Sequence, residues 1–252
     1  MHLTNQYFLA MKTFSLYSSI LKLIAQKKII DTAENQFNIN PKIIKQSAAG
    51  LGLTFVSKKE QEGSVCLADS HEVRPEFKET FTSEDLFNYI YAVIHSSKYR
   101  EKNLKTDSQN IPIQTDSLKF WKLVQFGREL RKIHLLKNDN TVNSSAQFTN
   151  EGNTIVKHSK FKTFSETHFS PSEENCADRN LGRVYISENQ FFDNIPESVW
   201  NFCIDDYQPA KKWLQDRKEC ELTPEDISQY QKIIAVLTET VQIAKKINKL
   251  DI

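Results

Sequence analysis

The residues from Thr223 to Lys249 leave the chain little choice but one long helix. Thr223 offers a hydroxyl that accepts an orphan backbone amide, Pro224 suits the first helical position, and Asp226 stands where a capping-box acid reaches back. Ile227, Tyr230, Ile234, Leu237, Val241 and Ala244 then recur at alternating steps of three and four, forming one apolar seam. At ~1.5 Å per residue the segment predicts a rod about 37 Å long. Such a seam has two outlets: packing inside a bundle of this chain, or a coiled-coil surface offered to a partner.

Shorter elements precede it. Leu16, Ile20, Leu23 and Ile24 predict an amphipathic helix over 15–30. Asn40 and Pro41 predict the N-cap and first residue of a helix that stops near Gly50 and Gly52, followed by a short strand over Leu53–Val56. Eight acidic residues between Glu60 and Asp85 face only Arg74 and Lys78, which predicts a solvated loop. Ser83, with Glu84 and Asp85 behind it, predicts a helix start and a run to about Arg100, with Leu86, Ile90, Val93 and Ile94 as the core stripe. Asp116 opens another helix carrying Phe120, Leu123, Val124, Leu130 and Ile133. Residues 137–180 predict a long irregular loop, relieved by a ragged hairpin over Thr154–Phe164 with Lys157, Lys160 and Lys162. Arg183–Ile186 is the better strand, and short helices are expected over Ser198–Cys203 and Pro209–Lys218. The fold class is therefore α+β, predominantly helical, with a small sheet or hairpin and a long C-terminal helix.

The chemistry is defined largely by exclusion. Lys plus Arg number 33 and Asp plus Glu 32, so any polyanion site must be a local patch. The cysteines Cys66, Cys176, Cys203 and Cys220 form no C-x-x-C pair, which points to reduced thiols and a cytoplasmic setting. The apolar tract Ile20–Ile30 is broken by Lys22, Gln26, Lys27 and Lys28, far short of the roughly 20 apolar residues of a membrane span. There is no G-x-x-x-x-G-K-[ST] phosphate loop, no H-E-x-x-H, no G-x-S-x-G elbow and no Asn-Pro-Pro-aromatic tetrapeptide. Composition and spacing therefore offer no metal site, no cofactor and no enzyme.

Aromatics and cations recur together: Tyr89, Tyr91, Tyr99 and Arg100; Trp121, Arg128 and Arg131; Tyr207, Lys211, Lys212, Trp213, Arg217 and Lys218. They read either as solvated basic faces of amphipathic helices or as phosphate contacts with neighbouring hydroxyls fixing register.

Three blocks carry a resemblance. Asp85-Leu-Phe-Asn-Tyr-Ile-Tyr-Ala-Val-Ile-His-Ser-Ser-Lys-Tyr-Arg100 is similar to Asp-(Ile/Leu)-Phe-x-Tyr-Ile-Tyr-Ala-Val-Leu-His-Ser-Pro-x-Tyr-Arg, a signature of single-polypeptide restriction-modification enzymes. Gly182-Arg-Val-Tyr-Ile186, Gln190-Phe-Phe192, Ile195-Pro196, Val199-Trp-Asn201, Tyr207-Gln208 and Lys212-Trp-Leu-x-Asp-Arg-Lys218 follow the family order, and Leu222–Thr240 resembles its closing helix. The resemblance runs from about Phe37 to Ile247, leaving 1–36 as a poorly matched lead before a domain over 37–252. It is to the C-terminal specificity, or target-recognition, domain of the type ISP class, in a detached or truncated copy.

The resemblance implies a sequence-specific DNA-recognition domain, not catalytic by itself, that positions double-stranded DNA for an adenine-N6 methyltransferase and nuclease subunit. S-adenosylmethionine belongs to the family's methyltransferase domain, not to these residues. The implied DNA contacts are Lys98, Tyr99 and Arg100, then Arg128, Lys211, Lys212 and Arg217, and they must converge into one electropositive groove. Two departures stand out. Leu104-Lys-Thr-Asp107-Ser-Gln-Asn-Ile111-Pro112 replaces a longer family segment ending in Asp-Phe-Pro-Arg-Ile-Pro, and Asp205-Asp206 replaces Gly-Gly before the Tyr-Gln pair. They leave an alternative from another class: a protein-interaction or structural remnant of a decayed restriction-modification gene that docks through Leu222–Lys249 without binding DNA.

Overall fold

The structure, a computed structural model, describes residues 30–31, 38–56, 80–103, 111–135, 146–149, 152–167, 181–204 and 207–250. The expected helix over 15–30 and the acidic loop before Thr80 lie almost wholly outside them, as do Asp205 and Asp206. The chain divides into two compact units: a helical unit from Tyr17–Leu135 with Ile243–Ile252, and a sheet unit that includes Leu136–Gln242.

In the helical unit, β1 (Ile30–Asp31) and β2 (Asn38–Ile39) pair antiparallel. The helix α1 (Pro41–Leu51) opens where Asn40 Oδ1 accepts the Lys42 amide at 2.9 Å and ends at Gly52, whose φ of 65° suits a residue without Cβ. Two short strands, β3 (Thr54–Phe55) and β4 (Thr80–Phe81), run parallel. Next come α2 (Ser83–Ile94), α3 (Ser97–Asn103) and α4 (Ser117–His134), the last capped by Asp116 as expected. The rings of Phe55, Phe81, Phe120 and Tyr89 form a chain of edge and tilted contacts at the centre.

Two expectations for this unit are corrected. The N-cap of α2 is Thr82, not Ser83: Thr82 Oγ1 accepts the Asp85 amide and Asp85 Oδ2 accepts the Thr82 amide, a complete capping box. The helix also does not continue to Arg100. The His95 and Ser96 amides turn back to Ala92 and Val93, and α3 begins anew with the Ser97 amide donating to Asn248 Oδ1 at 2.9 Å. The family signature has proline at the position of Ser97, the first helical residue, where an N–H is dispensable; here the amide remains and the Asn248 carboxamide takes it. The shortened segment before α4 still delivers Ile111 to the core, and the Pro112 carbonyl accepts the Tyr89 hydroxyl.

The sheet unit is built on four antiparallel strands in the order β5 (Gln147–Phe148), β8 (Phe191–Pro196), β7 (Leu181–Tyr185), β6 (Lys160–Thr163). The hairpin expected over Thr154–Phe164 does not form. Instead Thr154–Val156 bridges to Lys218–Leu222, and β6 pairs with β7. The strand β8 was not expected. Its burial alternation breaks because Asn194, at φ 58°, adds one residue between Phe192 and Ile195, both of which face inward. Gly182 of β7 has no room for a side chain: a Cβ there would lie 2.3 Å from the Lys162 carbonyl oxygen.

Helices α5 (Glu197–Trp200) and α6 (Pro209–Gln215) follow, then α7 (Pro224–Asn248), whose box between Thr223 and Asp226 is made. Tyr230 of α7 lies against Phe192 and Trp213, with ring centroids at 4.4 and 5.2 Å. Tyr230, Ile234, Leu237 and Ala244 are buried, so the seam of α7 is core within this chain rather than an open coiled-coil face. From Ile243 onward α7 belongs to the helical unit.

Candidate functional site

The most recognisable sequence block is interior. Every residue from Asp85 to Ser96 is at most 2% exposed, a helix buried on all sides. Its polar members lie at steps of three and meet α4 at matching steps. Asp85 Oδ1 accepts from Arg128 at 2.5 Å, Asn88 Oδ1 from Arg131 at 2.7 Å, and the Tyr91 hydroxyl shares a 2.7 Å bond with His134 Nδ1. A constant offset of 43 residues means α2 and α4 run parallel through this zipper. Gly127 makes it feasible: a Cβ there would stand 1.9 Å from the Asn88 carbonyl oxygen.

His95 ends the stripe. Its Nδ1 donates to the Tyr91 carbonyl at 2.7 Å, and its ring stacks obliquely with those of Tyr91 and His134. Burial, opposed by that hydrogen bond and assisted by the Arg100 charge, pulls the His95 pKa down to about 4. Burial, then the neighbouring His95, puts His134 well below the ordinary range. Both imidazoles are therefore neutral near pH 7.

The expected contact residues take different positions. Lys98 is exposed on the first turn of α3, whereas Tyr99 is buried and Arg100 half-buried. Arg128 is half-exposed at the zipper's start, its guanidinium shared with Asp85. In the sheet unit, Lys211 is half-buried and Lys212 exposed on α6, the latter paired with Asp216. Arg217 is 9% exposed; its guanidinium lies 3.5 Å from the centroid of the Trp213 ring and 3.0 Å from Asp226 Oδ1. Burial pushes the Asp226 carboxyl up, but the hydrogen bond and charge of Arg217, with the Thr223 amide and hydroxyl, hold it below its ordinary pKa. Arg217 thus braces the start of α7. The seven residues divide between the units: Lys98, Tyr99, Arg100 and Arg128 in the helical unit, Lys211, Lys212 and Arg217 in the sheet unit.

Sequence reasoning missed the exposed face of the sheet. Gly182, Val184, Phe192 and Ile195 point inward, and Lys160, Lys162, Arg183, Tyr185 and Phe191 occupy the other side. Lys162 Nζ is 5.1 Å from the Tyr185 ring centroid, and the Arg183 guanidinium 4.3 Å from that of Phe191. Arg183 also forks onto Asp193, at 3.3 and 3.4 Å. The x-Lys-x-Lys spacing of 159–162 was the available signal. Among the described residues no group of His, Cys, Asp and Glu is arranged to hold a metal, and no helix is long and apolar enough to cross a membrane.

Three solved structures share features with the chain. The DrdV–DNA complex matches 84% of it at 19% identity and a TM-score of 0.50. The ATP-dependent Type ISP restriction-modification enzyme LlaBIII bound to DNA matches 86% at 15% identity and a TM-score of 0.47. A nuclease-deletion mutant of the Type ISP enzyme LlaGI in complex with a DNA substrate mimic matches 65% at 17% identity and a TM-score of 0.40. The chain spans only 20%, 13% and 16% of those proteins, respectively. No curated protein matches it. The family model for the Type ISP C-terminal specificity domain, however, matches residues 7–246. Nearly the whole sequence is thereby accounted for, and the chain belongs to the Type ISP C-terminal specificity domain family.

Proposed function

We propose that this chain recognises a DNA target sequence within a restriction-modification system and performs no catalysis itself. The family match over 7–246 carries the reading, and the protein of similar fold, DrdV, was determined with DNA. In this role the chain holds duplex DNA for an adenine-N6 methyltransferase and nuclease partner, which supplies S-adenosylmethionine chemistry and cleavage. Exposed Lys98 and Lys212, with Arg128 and Lys211, are the candidate backbone contacts. Tyr99, Arg100 and Arg217 fit a supporting role from the positions they occupy. Such a soluble DNA-acting chain works in the cytoplasm.

Selection of bound duplexes from a random pool, with and without a methyltransferase subunit, tests this. An enriched motif retained by the chain alone is expected. Failure to retain any duplex at about 50 mM salt, where phosphate contacts are strong, overturns the reading.

A further inference from the structure

We infer that the outer face of the β6–β7–β8 sheet is a phosphate-contacting surface for duplex DNA, with Lys160 and Lys162 as its contacts and the Arg183–Asp193 pair as a brace beside them; this rests on the DNA-recognition reading above. The strand register is the first ground. Lys160 lies opposite Tyr185 and Lys162 opposite Arg183, and directly opposed residues project from the same side of a sheet. Two cations therefore face one another across β6 and β7, and Asp193 balances only Arg183. A polyanion laid over the face supplies the countercharge that Lys162 lacks among the described residues.

The second ground is how the charges are held. Lys162 extends over the Tyr185 ring, and Arg183 lies over Phe191 and, at 5.8 Å, near Phe164. Such rings shield the aliphatic stems and fix the charged heads; Asp193 answers the charge of Arg183, and that of Lys162 meets no carboxylate among the described residues. Third, the balance of charge on this face is positive. Asp193 is paired with Arg183, whereas Lys160 and Lys162 are exposed and form no ion pair among the described residues. Alternate residues on a strand stand ~6.8 Å apart, twice the ~3.4 Å axial rise per phosphate on one DNA strand. Lys160 and Lys162 thus match phosphates of a single strand.

The test is titration of the full chain with a fluorescent random-sequence duplex of about 30 base pairs over about 50 to 200 mM salt, comparing wild type with Lys160→Gln/Lys162→Gln. Both lysines are exposed, so the variant keeps the wild-type melting temperature. Its salt slope is expected to be shallower by about 1.8, with affinity reduced roughly 10- to 100-fold near 0.1 M salt. Tyr185→Leu, which removes the ring beneath Lys162 but keeps an apolar strand residue, is expected to lose several-fold. If wild type binds and the double variant has the same slope, this surface is refuted while the DNA reading stands. If wild type binds no duplex, both fall. Stronger competition by single-stranded RNA than by duplex also overturns the assignment.

Discussion

The helical unit turns its most distinctive residues inward, whereas the sheet unit displays a cationic and aromatic row on an open face. In the first, Asp85, Asn88, Tyr91 and His95 direct their polar groups into α4 or their own helix, where Asp85 meets half-exposed Arg128 and Asn88 meets Arg131. In the second, the buried strand residues are apolar and Lys160 and Lys162 stand free of carboxylates among the described residues. A strong family signature therefore marks scaffold here, because a helix buried on every side tolerates few substitutions. Lys160 and Lys162, exposed on β6 and outside the family blocks, carry no such packing constraint.

The sharpest way to break the helical half of this contrast is Gly127→Ala. The added methyl collides with backbone, not with a flexible side chain, so α2 and α4 must separate at a loss of about 3 kcal/mol or more. Gly182→Ala is the matching change in the sheet unit and is expected to cost about 2 kcal/mol, since the Phe161 ring can yield although the Lys162 carbonyl cannot. Denaturant melts monitored by hydrogen exchange of peptides from each unit separate the two. A Gly127→Ala loss below about 0.5 kcal/mol would refute the zipper.

Acid should act on the units in different windows. An unfolded histidine gains a proton near pH 6.5, but folded His95 resists it until about 4. The unfolded state then binds more protons, and stability falls as pH drops through that window, by about 3 kcal/mol for His95 alone. His134 adds in the same direction. Asp226 has a lowered carboxyl pKa, so its contribution in the sheet unit disappears only as pH falls below about 3.8. Exchange should therefore accelerate first in α2 and α4. Simultaneous loosening of both units at pH 5 would contradict this.

Two arginine and lysine changes sharpen the sheet unit's own division of labour. Arg217→Ala removes the brace between Trp213 and Asp226 and is expected to cost about 2 kcal/mol. Lys212→Ala breaks an exposed pair with Asp216 and should change stability by no more than about 0.5 kcal/mol. Thermal melts distinguish them; equal losses would show that burial does not set the role of these cations.

Much of the fold was legible because the deciding chemistry is local. Asn40, Asp116 and Thr223 cap helices within three residues of themselves, and Gly52 ends α1 by its own backbone conformation. What was not legible depends on distant partners. The break at His95–Ser96 needs Asn248 to receive the Ser97 amide, although the family's proline at that position was a warning. The strand β8 was hidden by the bulge at Asn194, which spaces Phe192 and Ile195 by three instead of two. Arg217 looked like a surface cation because its run of basic neighbours hides that Trp213 and Asp226 enclose it. The sheet face went unread because pairing of β6 with β7 joins lysines and an arginine about 20 residues apart.

Lysine acetylation of the full chain, free and bound to a random duplex and read by mass spectrometry, tests the central claim most directly. Lys160 and Lys162 are predicted to lose reactivity several-fold on binding. Equal labelling of both lysines in the two states, with protection confined to Lys98 in the helical unit, would contradict it.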